Sequence, residues 1–88
     1  MTVALDAALA LDPRVALRPE PFGALAYHYG NRRLVFLKSP DMLAVVRALS
    51  EHPTVADTLA ACGVDESRWP SFVAALDSLE QSEVLRGR

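Results

Sequence analysis

Two histidines and one cysteine are the side chains of this 88-residue chain best suited to proton transfer or nucleophilic attack. His28 stands between Tyr27 and Tyr29, and an imidazole flanked by phenols resembles an acid–base cluster. Such a cluster needs a carboxylate or a second histidine in register, and the strand spacing supplies neither. His28 is therefore expected to be structural or a surface residue. No motif brings a histidine to Cys62, which reads as a small buried apolar group. His52 falls at a helix C-terminus, where positive charge is favoured. Asp65-Glu66 and the Asp77/Glu80 pair read as solvated charge. An enzyme needs convergent polar groups, and none occurs at a suitable spacing. Neither catalytic residues, a metal site nor a resident cofactor is expected.

If the chain binds rather than reacts, its elements must build a surface. Eighty-eight residues suffice for one domain with a single modest core. Charged residues make up 23% of the chain and the net charge is −2, which argues against a strongly basic nucleic-acid binder. With one cysteine no internal disulfide forms, as expected of a reducing, cytoplasmic setting. The opening MTVALDAALALDP carries Asp6 and no Lys or Arg before Arg14. It lacks the positive start of a secretory signal and the apolar length of a membrane span. Residues 1–13 are read as an amphipathic arm (Leu5, Ala8, Leu9) or, by the habit of termini, a disordered tail. Residues 14–88 form the domain.

Three strands are predicted first. Arg14 to Arg18 places Val15 and Leu17 on one face, and Pro19 then ends ladder donation, which makes this strand short or an edge. Ala24 to Tyr29 alternates Leu25, Tyr27 and Tyr29 against Ala24, Ala26 and His28. Gly30-Asn31 reads as a two-residue hairpin turn, with glycine at positive φ. Arg33 to Lys38 returns, with Leu34 and Phe36 on one face and Val35 and Leu37 on the other. Because this last strand is apolar on both faces, one face can pack on helices and the other needs a partner.

Helices follow. Ser39 caps, Pro40 fits the first helical position, and Asp41 suits the positive helix end. Met42, Val45, Val46 and Leu49 make the inward stripe. Pro53 ends that helix, and Thr54 with Asp57 resembles a capping box for a second, with Val55, Leu59 and Cys62 inward and Gly63 closing it. The third helix starts from Ser67, so that Pro70 lies in its first turn, and carries Phe72, Ala75, Leu76 and Leu79 inward. Val84-Leu85 forms a short strand or an extra turn. The fold class is α+β, a three-stranded antiparallel sheet followed by three helices, similar to a winged helix-turn-helix. An extended peptide laid along the open edge is the binding mode this order suits best.

The chain also resembles a known family. Arg18-Pro19-Glu20-Pro21-Phe22-Gly23, Tyr27-His28-Tyr29-Gly30-Asn31-Arg32-Arg33 and Leu37-Lys38-Ser39-Pro40 are similar to the peptide chaperones of mycofactocin biosynthesis, relatives of the pyrroloquinoline quinone peptide chaperones. The likeness runs from about Arg14 to Leu85. Glu51-His52-Pro53 stands where many relatives have an Asp-Gly turn. The resemblance implies that the leader of a precursor peptide adds as an antiparallel strand to the third strand, in a groove walled by the third helix. Mapped onto this sequence, the ladder groups are the backbone of Arg33, Leu34, Val35, Phe36 and Leu37, and the wall is the flank from Arg68 to Leu79. Val35, Leu37, Phe72 and Ala75 are the implied apolar pocket. Arg32, Arg33 and Lys38 would meet acidic leader residues. The implied partner is a radical S-adenosylmethionine maturase that decarboxylates and crosslinks a C-terminal Val-Tyr pair. Its clusters belong to that enzyme, since one cysteine cannot hold an iron–sulfur cluster.

Other roles compete. Arg32-Arg33 could simply guard an edge strand against self-pairing. A winged-helix DNA binder would use Arg68 to Gln81, whose Asp77 and Glu80 repel phosphates. A self-associating module pairing through its own third strand is a further alternative, so a monomer or weak homodimer is expected, without nucleic acid or membrane partners.

Overall fold

Alternating apolar side chains between residues 15 and 37 build a three-stranded antiparallel sheet in the computed structural model, which describes residues 3–88. β2 is Val15–Glu20, β3 is Gly23–His28 and β4 is Leu34–Leu37, with β3 central. Ala24, Ala26, His28 and Leu37 are buried on the inner face, and Val15 and Leu17 join them from β2. β1 (Leu9–Leu11) and β5 (Leu85–Gly87) form a second, two-stranded antiparallel sheet. With α1 (Pro40–Ala48), α2 (Val55–Ala61) and α3 (Trp69–Gln81), the architecture is α+β, the expected three-stranded sheet and three helices plus the additional β1–β5 pair.

Pro19 sits inside β2 rather than ending it, and the hydrogen-bond alternation explains why. Tyr29 N–H donates to the Arg14 carbonyl at 2.8 Å. In an antiparallel ladder bonded pairs alternate, so Ala16–Tyr27 and Arg18–Leu25 are bonded while Pro19 pairs with Ala24 at a non-bonded position. The nitrogen of Pro19 therefore faces the open side of the sheet, where no ladder donor is lost.

The hairpin differs from the expected two-residue turn. β3 ends at His28, and the link to β4 runs through residues 29–33 with Arg32, not Gly30, in the left-handed region at φ 61°. His28 shapes this loop from below. Its Nδ1 accepts the N–H groups of Gly30 at 2.9 Å and Asn31 at 3.0 Å. Gly30 is required for space, since a Cβ there would meet His28 Cε1 at 2.7 Å.

The helices begin where their caps predict. Ser39 Oγ accepts Met42 N–H at 3.1 Å, and Thr54 Oγ1 accepts Asp57 N–H at 3.1 Å. A 3-10 turn at Leu49–Glu51 extends α1 toward Pro53. The expected start of the third helix at Ser67 is itself a 3-10 turn, Glu66–Arg68, and α3 proper begins at Trp69 with Pro70 in its first positions. Trp69 tucks its indole inward, donating Nε1–H to the Val64 carbonyl at 2.9 Å.

Residues 3–13, which the sequence leaves as an amphipathic arm or a disordered tail, lie against the core, with Val3 and Leu9 buried. The carbonyls of Ala7 and Leu5 accept the N–H groups of Val55 and Ala56, each at 2.9 Å. These are two of the donors that the first turn of α2 cannot satisfy within the helix. Met1 and Thr2 lie outside the described residues.

Candidate functional site

β4 is an edge strand, and its register decides which groups it offers. His28 N–H donates to the Arg33 carbonyl at 2.9 Å. Continuing the alternation, Ala26–Val35 and Ala24–Leu37 are bonded pairs, and Leu34 and Phe36 occupy the non-bonded positions opposite Tyr27 and Leu25. The N–H and C=O groups of Leu34 and Phe36 thus point away from the sheet, and among the described residues no backbone partner meets them. Arg33 is not part of this offer. Its carbonyl is taken by His28, and its N–H donates to Asn31 Oδ1 at 2.9 Å. Gly23 lets the top of the β3–β4 ladder close, because a Cβ there would stand 2.1 Å from the Leu37 carbonyl oxygen.

The other edge of the sheet is poorer. Val15 N–H is spent on the Asp12 carbonyl at 2.9 Å, and Pro19 has no N–H. Of the outward positions on β2, only Leu17 retains a donor. One edge is blunted and the other is open.

Beside the open edge runs a groove of ≈ 360 Å³. Val35, Leu37 and Lys38 form its sheet wall, Met42 its floor at the start of α1, and Ala75, Ser78 and Leu79 its helical wall on α3. A strand paired with β4 would project alternate side chains into this groove and the rest onto the outer face. The space is apolar, as Val, Leu, Met and Ala dictate, with hydroxyls at Ser39 and Ser78 and a cation at Lys38 on its margin.

A family comparison bears on this geometry. The sequence model of the Peptide chaperone MftB family matches residues 8–86. Peptide chaperone MftB of Mycobacterium ulcerans is 51% identical over 75 residues, covering 85% of this chain and 69% of the relative. The protein of that name from Mycobacterium tuberculosis is 45% identical over the same coverage, and that from Mycolicibacterium smegmatis is 44% identical over 80 residues, 91% of this chain and 78% of the relative. The chain belongs to the MftB peptide chaperone family. No solved structure matches it.

For this MftB-family chain the residues singled out in the sequence are divided by the fold. Val35, Phe36, Leu37, Lys38, Ala75 and Leu79 come together at the groove. Leu34 lies on the edge with its side chain on the outer face. Arg32 and Arg33 sit in the exposed hairpin loop. Arg68 and Phe72 are outside the groove lining. Phe72 is buried in the core, and Arg68 stacks over its ring at 5.1 Å while pairing with Asp41 at 3.2 Å, so the two join α3 to α1. Ser39, Met42 and Ser78 were missed as site residues. Ser78 lies three residues after Ala75, one helical turn along the same face, and that spacing could have found it.

The chemically suggestive side chains are engaged elsewhere. Because His28 Nδ1 accepts two N–H groups, its proton belongs on Nε2, which lies 3.9 Å from Asp12 Oδ2. Asp12 is buried and receives Arg14 twice through its side chain and once through its backbone N–H. Those hydrogen bonds hold its carboxyl at a pKa of about 2. Burial, and then the charge of Glu51, push the Cys62 thiol up, away from the thiolate form. Among the described residues no three His, Cys, Asp or Glu side chains gather as a metal site, and no helix is long and apolar enough to cross a membrane.

Proposed function

We propose that this chain is a non-catalytic peptide chaperone of mycofactocin biosynthesis, which binds the leader of a precursor peptide as an added strand on β4 and presents it to a radical S-adenosylmethionine maturase. The observation that carries the reading is the free edge of Leu34 and Phe36 lying directly beside an apolar groove. Backbone pairing would give affinity largely independent of sequence, and the groove would choose alternate side chains. Membership of a family named for peptide chaperones supports the same role. Lys38 at the groove margin, with Arg32 and Arg33 on the loop, suits a leader that carries carboxylates. A peptide disordered when free spends roughly 2–5 kcal/mol of interaction energy on becoming ordered, so binding in the nanomolar to low micromolar range is expected. The chaperone's contribution to the reaction is local concentration and orientation of the substrate.

Calorimetric titration with a mycofactocin-type precursor peptide tests this, with a scrambled peptide and duplex DNA as controls. Saturable one-to-one binding of the intact peptide alone is the expected result. Absence of heat at tens of micromolar peptide, repeated at a second temperature, would reject it. Replacing Lys38 by Glu should weaken binding several-fold at low salt, and the deficit should shrink as ionic strength rises and the Debye length falls below ~10 Å. A deficit independent of salt would contradict a carboxylate contact there.

A further inference from the structure

The outer face of the three-stranded sheet carries an apolar surface that the peptide groove does not use. Register places Leu25 beside Phe36 and Tyr27 beside Leu34, and Phe22 and Tyr29 extend the patch at either end. Phe22 is 46% exposed, Leu34 52%, Phe36 58% and Tyr29 67%. Phe22 meets Phe36 edge-on at 6.0 Å, and Tyr27 meets Tyr29 edge-on at 5.0 Å, so the rings are held by one another and not by a second layer. A contiguous cluster of this kind on so small a domain marks an interaction site rather than scattered surface leucines.

Its flanks are cationic although the whole chain is acidic. Arg18 lies opposite Leu25 on the same face, paired with Glu20 at 3.1 Å, while Arg32 and Arg33 stand at the hairpin end and, among the described residues, enter no ion pair. Two copies packed face to face would set these arginines against each other, which disfavours a second copy as the occupant. A partner with an apolar centre and a carboxylate rim fits.

The face is also continuous with the peptide site. Phe36 lends its side chain to the patch and its outward N–H to the open edge. A strand added to β4 would lay every second side chain beside Leu34 and Phe36 and so enlarge the same surface. We infer that this outer sheet face is the surface on which the peptide-processing enzyme docks, through an apolar patch rimmed by acidic residues, and that it reads chaperone and bound peptide as one composite face. This rests on the strand-addition reading above. The enzyme then gains contacts only when the edge is filled, and by linkage it tightens the peptide's hold on the chaperone.

Leu25→Glu and Arg18→Glu test it, because both side chains lie on the outer face, Leu25 on central β3 and Arg18 on β2, and neither lines the groove. Binding of the purified radical S-adenosylmethionine maturase is measured with the full chain, empty and peptide-loaded, alongside the peptide titration. Expected are a peptide affinity within about twofold of the parent for both variants, a maturase affinity at least about tenfold weaker, and a loss for Arg18→Glu that diminishes with salt. Peptide loading should tighten maturase binding to the parent chain. Should Leu25→Glu fail to fold, Arg18→Glu, whose side chain is 79% exposed, carries the test alone. Maturase binding unchanged in the variants, or absent with the parent, overturns the inference. A parent dimer that Leu25→Glu turns into a monomer in sedimentation overturns it in favour of self-association. If the parent binds no peptide, the strand-addition reading fails, yet loss of maturase binding to empty Arg18→Glu would still support the docking face.

Discussion

At Phe36 one backbone nitrogen separates two kinds of proline variant. Its N–H points to the open edge, whereas that of its neighbour Val35 is committed to Ala26 across the β3–β4 ladder. Phe36→Pro should therefore keep the fold and weaken peptide binding about tenfold or more, because an added strand loses a main-chain bond. Val35→Pro should instead cost roughly 3 kcal/mol of stability, visible as a fall in thermal midpoint before any peptide is added. If Phe36→Pro binds like the parent, the peptide does not pair with β4. Asp12 supplies a second test at this scale. Hydrogen bonds from Arg14 lower its pKa from 3.8 to about 2 in the folded state. A depressed carboxylate adds stability above the unfolded pKa and loses it as pH falls through the folded one. Relative to Asp12→Asn, the parent should hold its stability advantage down to about pH 4 and surrender it by about pH 2. An advantage that does not change over that window would mean the pairing is not made in solution.

At the scale of elements, α3 lines the groove with Ala75, Ser78 and the buried Leu79, so two of its three groove residues are small. Ala75→Trp would fill the groove from the helix side at a half-buried position on the margin of the core. Peptide affinity should fall by at least about tenfold while the thermal midpoint stays within a few degrees, as both titration and melting will record. Equal affinity would place the peptide elsewhere. Much of this was legible beforehand. Ser39, Pro40 and Thr54 placed helix starts through local hydrogen bonding, and the alternation of Val35 and Leu37 with Leu34 and Phe36 placed the faces of β4. The hairpin was not legible as a two-residue turn, because the deciding group is the His28 imidazole, which lies below the loop and organises Gly30 and Asn31. Nor did Phe72 reveal whether it faced core or groove, since a helical stripe identifies an apolar face and not its boundary. Pro19 marked its strand as short or an edge, and β2 is an edge; which of the two holds was not legible, because the ladder position of Pro19, bonded or non-bonded, is set by the partner strand.

At the scale of the whole molecule, the first and last segments close the fold on each other. β1 pairs with β5, Asp12 N–H reaches the Val84 carbonyl at 2.9 Å, and Arg88 N–H reaches the Ala8 carbonyl at 2.9 Å. The Arg88 guanidinium meets the carbonyls of Ser50, His52 and Pro53 where the α1 extension gives way to α2. The segment before β1 does the remaining work on α2, capping Val55 and Ala56 and burying Val3. None of these contacts touches β4 or the groove, so stability and peptide binding should separate. Deleting residues 1–7 removes a buried valine worth about 1.5–3 kcal/mol and two backbone bonds, to Val55 and Ala56, worth about 1 kcal/mol each. A loss on the order of 4 kcal/mol would take a large share of the roughly 4–13 kcal/mol expected of an 88-residue domain, and would lower the thermal midpoint by more than about 15 °C. Below that midpoint the deleted chain should still bind peptide with nearly the parent affinity, since the edge of Leu34 and Phe36 is held by β3 and by the packing of α1. A midpoint shift of only a few degrees would mean that the clasp is formed but adds little, whereas peptide binding lost at a temperature where the fold persists would tie the N-terminal segment to the groove itself.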